Sequence, residues 1–151
     1  MSDLPLWDVL RRWPATAHSV FKLALAYQSI IQGIWSNTYD VNQYPLCGWV
    51  RNVSDAQNDE ISYTFYSKAG RYTLVVLGLS YTDEAISTII IDGVIQGTID
   101  WYNPVIIYNS ILTLPVTIAT DGVHTINFRA ATRNVAVIHW FLSLTAFWFR
   151  D

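Results

Sequence analysis

Ala85-Ile86-Ser87-Thr88-Ile89-Ile90-Ile91-Asp92-Gly93-Val94-Ile95-Gln96-Gly97-Thr98-Ile99-Asp100 reads as a β-hairpin. Two β-branched runs flank Asp92-Gly93, a dipeptide that tolerates positive φ in a type I′ turn, whose twist matches the strands on either side. The same pattern repeats outward from it. Arg71-Tyr72-Thr73-Leu74-Val75-Val76-Leu77-Gly78-Leu79 is a strand following Ala69-Gly70. Glu60-Ile61-Ser62-Tyr63-Thr64-Phe65-Tyr66 sets Ile61, Tyr63 and Phe65 against Glu60, Ser62 and Thr64, which predicts one wet face. Asp121-Gly122 divides residues 105–119 from Val123-His124-Thr125-Ile126-Asn127-Phe128-Arg129, and a last strand is expected over 137–148. Pro115 removes a ladder donor, so its segment carries a bulge, a bend or an edge position there. With residues 33–38 and 47–53 the count is roughly nine strands, enough for an all-β, two-sheet antiparallel jelly-roll sandwich. The predicted domain is 29–151, behind an N-terminal extension of residues 1–28. Within the extension, residues 4–14 suit a helical turn or two, and residues 15–28 suit helix and strand equally.

A chain of 151 residues and 17.2 kDa fits one domain. Charged residues make up 14% of it, against about 25% in an ordinary soluble domain. With 52% apolar residues and a net charge of −3, the chain is neither disordered nor a coat for nucleic acid, and its basic residues are scattered apart from Arg11-Arg12. A monomer of this mass exposes on the order of 8,000 Å² of surface, thin cover for so few charges. Cys47 is alone, which rules out an intrachain disulfide and suits a small buried apolar residue. Asp3 stands where an export signal needs basic residues, and no export signal is expected. Lys22 interrupts the apolar run of residues 20–27, and Ser143 and Thr145 interrupt the C-terminal one, so no membrane helix is expected. Asn52-Val53-Ser54 matches the glycosylation pattern.

The last strand bears on assembly. Its even positions, Ile138, Trp140, Leu142, Leu144, Ala146 and Trp148, are apolar, as a core face should be. Its odd positions, Val137, His139, Phe141, Ser143, Thr145, Phe147 and Phe149, are mostly apolar or aromatic too, the mark of a strand covered on both faces. The cover is either the N-terminal segment with Trp7, Trp13 and Phe21 or a neighbouring subunit. The subunit is the favoured reading, because Ile89-Ile90-Ile91 also points apolar side chains both ways. This predicts Val137, His139, Phe141, Phe147 and Phe149 as subunit-interface residues.

Chemistry-bearing patterns are few. Asp59-Glu60 and Asp83-Glu84 are adjacent pairs whose side chains point to opposite faces, unlike the facing carboxyls of a glycosidase, and they read as solvated acids of turns. His18, His124 and His139 have no metal-ligand spacing, with His124 placed to cap the Asp121-Gly122 turn. No Gly-x-Ser-x-Gly elbow is present. Asp92 and Asp121 suit turns better than calcium. No catalytic residue, metal or cofactor is therefore expected. Aromatic residues reach 15%, and exposed rings beside amides and carboxylates suit saccharides. Trp101, Tyr102 and Asn103, after Asp100, are sugar-contact candidates, as are Trp35 and Tyr39 near Asn37 and Asp40.

Taken together, Ala69-Gly70-Arg71-Tyr72-Thr73-Leu74, Ile91-Asp92-Gly93-Val94-Ile95-Gln96-Gly97 and Gly122-Val123-His124-Thr125-Ile126 resemble the jelly-roll modules of phage and viral structural proteins. These include tail-fibre, spike and decoration proteins, some of them trimers like the tumour-necrosis-factor-like jelly rolls. The resemblance spans about residues 28–148, and the same order of motifs is similar to carbohydrate-binding β-sandwich modules. The chain departs from those modules in lacking an acidic calcium cluster and in having strands apolar on both faces. The resemblance implies a non-enzymatic virion component assembling as a homotrimer, with the chain itself as first partner and other virion proteins or a host-surface glycan as further ones. Its alternative is a carbohydrate-binding module.

Overall fold

The computed structural model describes residues 20–23, 29–38 and 49–151. Among them are eleven strands and no helix: β1 (Val20–Leu23), β2 (Ser29–Gln32), β3 (Trp35–Thr38), β4 (Trp49–Asn52), β5 (Glu60–Ser67), β6 (Gly70–Ser80), β7 (Ile86–Ile91), β8 (Val94–Asp100), β9 (Ile107–Ile118), β10 (Gly122–Thr132) and β11 (Ser143–Arg150). One sheet runs β3-β4-β11-β6-β9 with β1 also on β11, the other β2-β5-β10-β7-β8, and all pairings between strands are antiparallel. This is the expected jelly-roll sandwich. Residues 20–23, for which helix and strand fitted equally, form a strand on β11.

The deciding hairpin folds as its sequence directs. Asp92 and Gly93 have φ of 50° and 79°, and Ile91 pairs with Val94. One residue of β8 is extra between Ile95 and Gly97. Gln96 uses this bulge to accept a hydrogen bond at Oε1 from the Thr117 N–H of β9, 2.9 Å away, so the edge strands of the two sheets close one side of the sandwich. Pro115 sits on β9, an edge strand, where its missing N–H leaves no gap in a ladder.

Between the sheets, Ile61, Tyr63 and Phe65 of β5 meet Leu74 and Val76 of β6, Ile126 and Phe128 of β10, and Phe147 and Phe149 of β11. Tyr63 packs edge-on to Phe147 at 5.1 Å, and Phe65 stacks on Phe149 at 4.7 Å. Each such ring contributes about 1.5–3 kcal/mol by burial, plus about 0.5–1.5 kcal/mol for an aromatic pair.

These rings correct the expected interface. Leu142 and Leu144 face the core, as the even positions should. Leu144 then pairs with Gly78 and Ala146 with Leu77, which leaves Thr145 as a bulge and exchanges the faces of everything after it. Phe147 and Phe149 are thus inside, 1% and 0% exposed, and Val137 at 3% is enclosed as well. None of the three is available to a partner subunit. Ala146, with Val75 and Leu77 beside it, is also buried by the chain itself. Gly78 admits the bulge, since a Cβ there would stand 2.4 Å from the Ser143 carbonyl oxygen. His139 and Phe141 precede β11 and lie in the connection from β10, partly exposed.

Candidate functional site

Residues 53–59, 81–85, 101–106 and 133–142, with the Gly33-Ile34 turn, connect strands at one end of the sandwich, and residues 68–69, 92–93 and 119–121 connect them at the other. The first end carries the long loops, and a buried amide holds them. Asn52, fully buried, donates from Nδ2 to Asp59 Oδ2 (3.0 Å) and to the Trp140 carbonyl (2.7 Å), and its Oδ1 accepts from the Leu142 N–H (2.6 Å). Asp59 Oδ2 also accepts from Ser54 Oγ at 2.7 Å and the Ala56 N–H at 3.1 Å. Asp55, in the left-handed region at φ 50°, accepts the Trp140 N–H at 2.6 Å and holds His139 Nδ1 at 2.7 Å. The Asn52-Val53-Ser54 match is therefore no glycosylation acceptor, because both polar atoms of the Asn52 side chain are enclosed and bonded.

The second feature is a stack. The Arg51 guanidinium lies 3.8 Å from the centre of the Phe141 ring and 5.3 Å from that of Trp49. On Phe141 the His139 ring stacks in turn, 5.0 Å away with 15° between planes. Arg133 sits 4.5 Å over Trp140 and donates to the Ile138 carbonyl. Cation–π contacts of this kind contribute about 0.5–2 kcal/mol each. Arg51 Nη2 is also bonded to Asp83 Oδ2 at 2.9 Å and Glu84 Oε1 at 3.1 Å. Burial pushes the Glu84 carboxyl up to about 8 against the pull of Arg51, with the charge of Asp83 adding to the rise and the bonds from Ser143 opposing it. The expected solvated acids are thus mostly internal: Asp59, Glu60 and Glu84 are buried, with Glu60 paired to Arg129 at 2.7 Å. They lie at or just before strand starts and are covered there by partners from distant segments, Glu60 on the outer face of β5 by Asn127 and Arg129 of β10.

Of the saccharide candidates, Trp101 and Trp35 are core residues, 1% and 7% exposed, and neither offers a ring face to a ligand. Trp101 fills the space over Gly78, and Trp35 Nε1 donates to the Gln32 carbonyl at 3.0 Å. Tyr102 and Asn103 are half-buried at the loop end. Tyr102 forms a backbone bridge with Tyr81, its N–H donates to Asp100 Oδ1 at 2.9 Å, and Asn103 Oδ1 accepts the Val105 N–H at 3.1 Å. Tyr39 lies outside the described residues. His124 bonds not to the Asp121 turn but to Asp92, Nδ1 to Oδ2 at 2.5 Å. Sequence reasoning missed Arg51, Asp55, Asp83 and Trp140 as one cluster about His139 and Phe141, and Tyr81 as the neighbour of Tyr102. The available signal was one arginine beside a tryptophan and a valine in Trp49-Val50-Arg51, a charge that needs partners.

The loop end therefore combines half-buried aromatic rings, Tyr81, Tyr102 and His139, with the polar groups of Asp55, Asp83, Asn103 and Arg51. That combination suits a polyhydroxylated ligand, with C–H faces against rings and hydroxyls against amides and carboxylates.

No protein-family model matches this sequence, and no curated protein sequence does. Solved structures do match in fold. A carbohydrate-binding module of the CBM36 type, in complex with calcium and xylotriose, is similar over 86% of this chain and 98% of its own, at 20% identity and a TM-score of 0.64. The C-terminal CBM6 module of a laminarinase from Zobellia galactanivorans is similar over 88% and 99%, at 10% identity and a TM-score of 0.62. A xanthan lyase from Paenibacillus is similar over all of this chain and 14% of its own, at 15% identity and a TM-score of 0.73. At these identities the likeness is one of fold.

Proposed function

We propose that this protein is a non-catalytic carbohydrate-binding module whose ligand lies at the loop end, against Tyr102, Tyr81 and His139. The observation that carries the reading is that half-buried aromatic residues stand on the long connections of one end of the sandwich, Tyr81 bridged to Tyr102 next to Asn103 and His139 bonded to Asp55, where binding residues commonly sit. The fold likeness supports it, because two of the structures named above are carbohydrate-binding modules matched over nearly their whole length. The engagement of three acids of this end supports a non-catalytic reading: Asp83 and Glu84 share one guanidinium, and Asp59 is enclosed by three donors. Calcium is not part of the proposal, since among the described residues no three His, Cys, Asp or Glu side chains stand together to hold an ion. An assembly role has lost its main support, the odd face of the last strand, because Phe147 and Phe149 are spent inside one chain.

Calorimetric titration with xylo-, manno- and β-gluco-oligosaccharides tests the reading. Binding to at least one series is expected, weakened about tenfold or more by Tyr102→Ala, given about 1.4 kcal/mol for a lost ring contact. Tyr66→Ala, on the outer face of β5 near the opposite end, should leave binding unchanged. Loss of binding in Tyr66→Ala with Tyr102→Ala intact would move the site to the sheet face.

A further inference from the structure

The two edge strands on one side of the sandwich close against each other only in part. Towards the turn end Gln96 of β8 bonds the Thr117 N–H, and Leu114 lies against Gly97. That N–H leaves β9 on the side away from β6, and the register with β6 is unbroken from Ser110 to Ile118, so the odd residues of this stretch turn both N–H and C=O outward. Nearer the loop end, Ile111 and Thr113 therefore present backbone groups that no described strand or side chain pairs with. This free stretch is bounded evenly. On one side a bulge at Asn109, φ 54°, interrupts the ladder between Ile107 and Ser110, and on the other Pro115 has no N–H to offer. Leu112 is at the centre, packed on the core yet half-buried, and Ile111 beside it is 58% exposed. Residues 101–120 contain no charged side chain, and Val105, Ile106, Ile107 and Tyr108 are exposed as well. Edges left to solvent normally carry lysine or another charge against such pairing.

We propose that β9 pairs with the β9 of a second copy, antiparallel about a twofold axis at Leu112, and joins two sandwiches into a dimer with one continuous sheet. In that register Ile111 of each copy stands opposite Thr113 of the other, and their outward N–H and C=O groups make four hydrogen bonds. The two Leu112 side chains meet as a non-hydrogen-bonded pair, the closer kind, over the side of the core that one chain leaves half open. Neither Asn109 nor Pro115 has to contribute a bond. A second copy fits better than another partner, because a strand whose bonding residues lie evenly about one position is complementary to itself across a twofold axis. Charge agrees: two chains of net charge −3 meet here through a surface that carries none. Apolar residues 105–108 extend the contact on either side of the axis, bringing it to the order of the 1,200 Å² at which specific interfaces begin. Antiparallel pairing points the two loop ends in opposite directions, so a dimer carries its saccharide surfaces at its far ends; that consequence rests on the proposed function, and the pairing itself does not.

Sedimentation equilibrium from about 1 μM to 1 mM, without any saccharide, tests the pairing. Wild type should pass from 17.2 kDa to twice that mass as concentration rises, and the Ile111 and Thr113 amides should gain protection from hydrogen exchange in step with it. Thr113→Pro removes one outward N–H from each copy and leaves the β6 ladder intact, as Pro115 does, so it should weaken association about tenfold or more. Ile111→Lys supplies the edge charge and should act in the same direction. Val123→Lys, the same kind of change at an exposed position of the other sheet, should leave association unchanged. A chain that stays at 17.2 kDa throughout, or a dimer that both β9 variants leave intact, overturns the proposal. A dimer in which the Ile111 and Thr113 amides exchange as in the monomer overturns it too. If Thr113→Pro does not fold, Ile111→Lys and the wild-type amide protection decide. A dimer that forms as expected in a protein that binds no saccharide would leave the pairing standing and remove the proposed function.

Discussion

The two ends of the sandwich are built on different terms. At the turn end each connection is short, and two aspartates, Asp92 and Asp121, hold all three. Asp92 accepts the Thr125 N–H at 2.9 Å beside Gly93, and Asp121 accepts the Ala69 N–H at 2.8 Å and pairs with Lys68 at 3.2 Å beside Gly122. At the loop end the holding bonds cross most of the chain: Leu142 to Asn52 spans 90 residues and Trp140 to Asp55 spans 85. Turn chemistry serves where the chain only has to reverse. Shaping a surface from four loops requires buried polar groups that bond across loops, and a buried polar group is stabilising only while fully partnered. The loop end is therefore both the candidate for function and the region most sensitive to single changes.

The largest expected effect sharpens that contrast. Asn52→Ala strips the Leu142 N–H and the Trp140 carbonyl of their partner and takes one donor from Asp59, all in the interior. The loss should be about 3–5 kcal/mol, since each buried group left unpaired costs about 1–3 kcal/mol. Ser67→Ala, a buried hydroxyl at the turn end with a single bond to the Lys68 carbonyl, should lose no more than about 1 kcal/mol. Urea unfolding of the two variants compares them directly. Equal losses would mean that Asn52 does not organise the loop end.

One substitution made at both ends comes next. Gly33 and Gly93 have φ of 89° and 79°, so alanine is strained at each by about 1–2 kcal/mol. At Gly93 the added methyl group meets open space. At Gly33 it would lie 2.2 Å from Asp59 Oδ1 and 2.9 Å from Ser54 Oγ, so Asp59 must leave the position in which it is bonded. Gly33→Ala should cost about 3 kcal/mol or more, against about 1–2 kcal/mol for Gly93→Ala, in the same unfolding experiment. A smaller loss at Gly33 than at Gly93 would show that the Asp59 cluster yields easily.

This difference also governs what the sequence discloses. The turn end, the hairpin and the inner faces of β5 and β10 are readable because period-2 alternation and Asp-Gly act over a few residues. Reading residues 137–148 as one unbroken alternation went astray twice, because residues 137–142 belong to the connection before β11 and the bulge at Thr145 exchanges the faces within it; the hint for the bulge was Gly78, a glycine inside a strand, which marks a bulge or a close approach. The loop end was readable only in part. Tyr102 and Asn103 follow a hairpin and are placed by it, whereas Asn52, Asp55, Arg51 and Trp140 become one cluster only when segments 85 to 90 residues apart meet. No local pattern encodes such a meeting. Trp101 and Trp35 misled for the same reason: a large ring beside polar residues has the same sequence signature in a core as on a platform.

The smallest effect distinguishes the ends by sign. At the turn end Asp92 is held below its ordinary value: burial opposes this, but the Thr125 N–H and the bond and charge of His124 outweigh it. A lowered carboxyl contributes stability that is fully present above its unfolded value of 3.8 and is lost as pH falls through the folded value. Glu84, raised to about 8 from 4.5, acts in the opposite direction, because the folded chain keeps a proton that the unfolded chain has released. Its contribution falls as pH rises from about 4.5 to 8 and is flat beyond. Asp92→Asn should therefore soften the decline of the melting temperature in acid and leave its neutral limb alone. Glu84→Gln should flatten the limb between about pH 5 and 8 and leave the acid limb alone. Melting curves from pH 3 to 9 on both variants test this, and a variant that changes the limb belonging to the other end would show that the ends are coupled through the sheets rather than held separately.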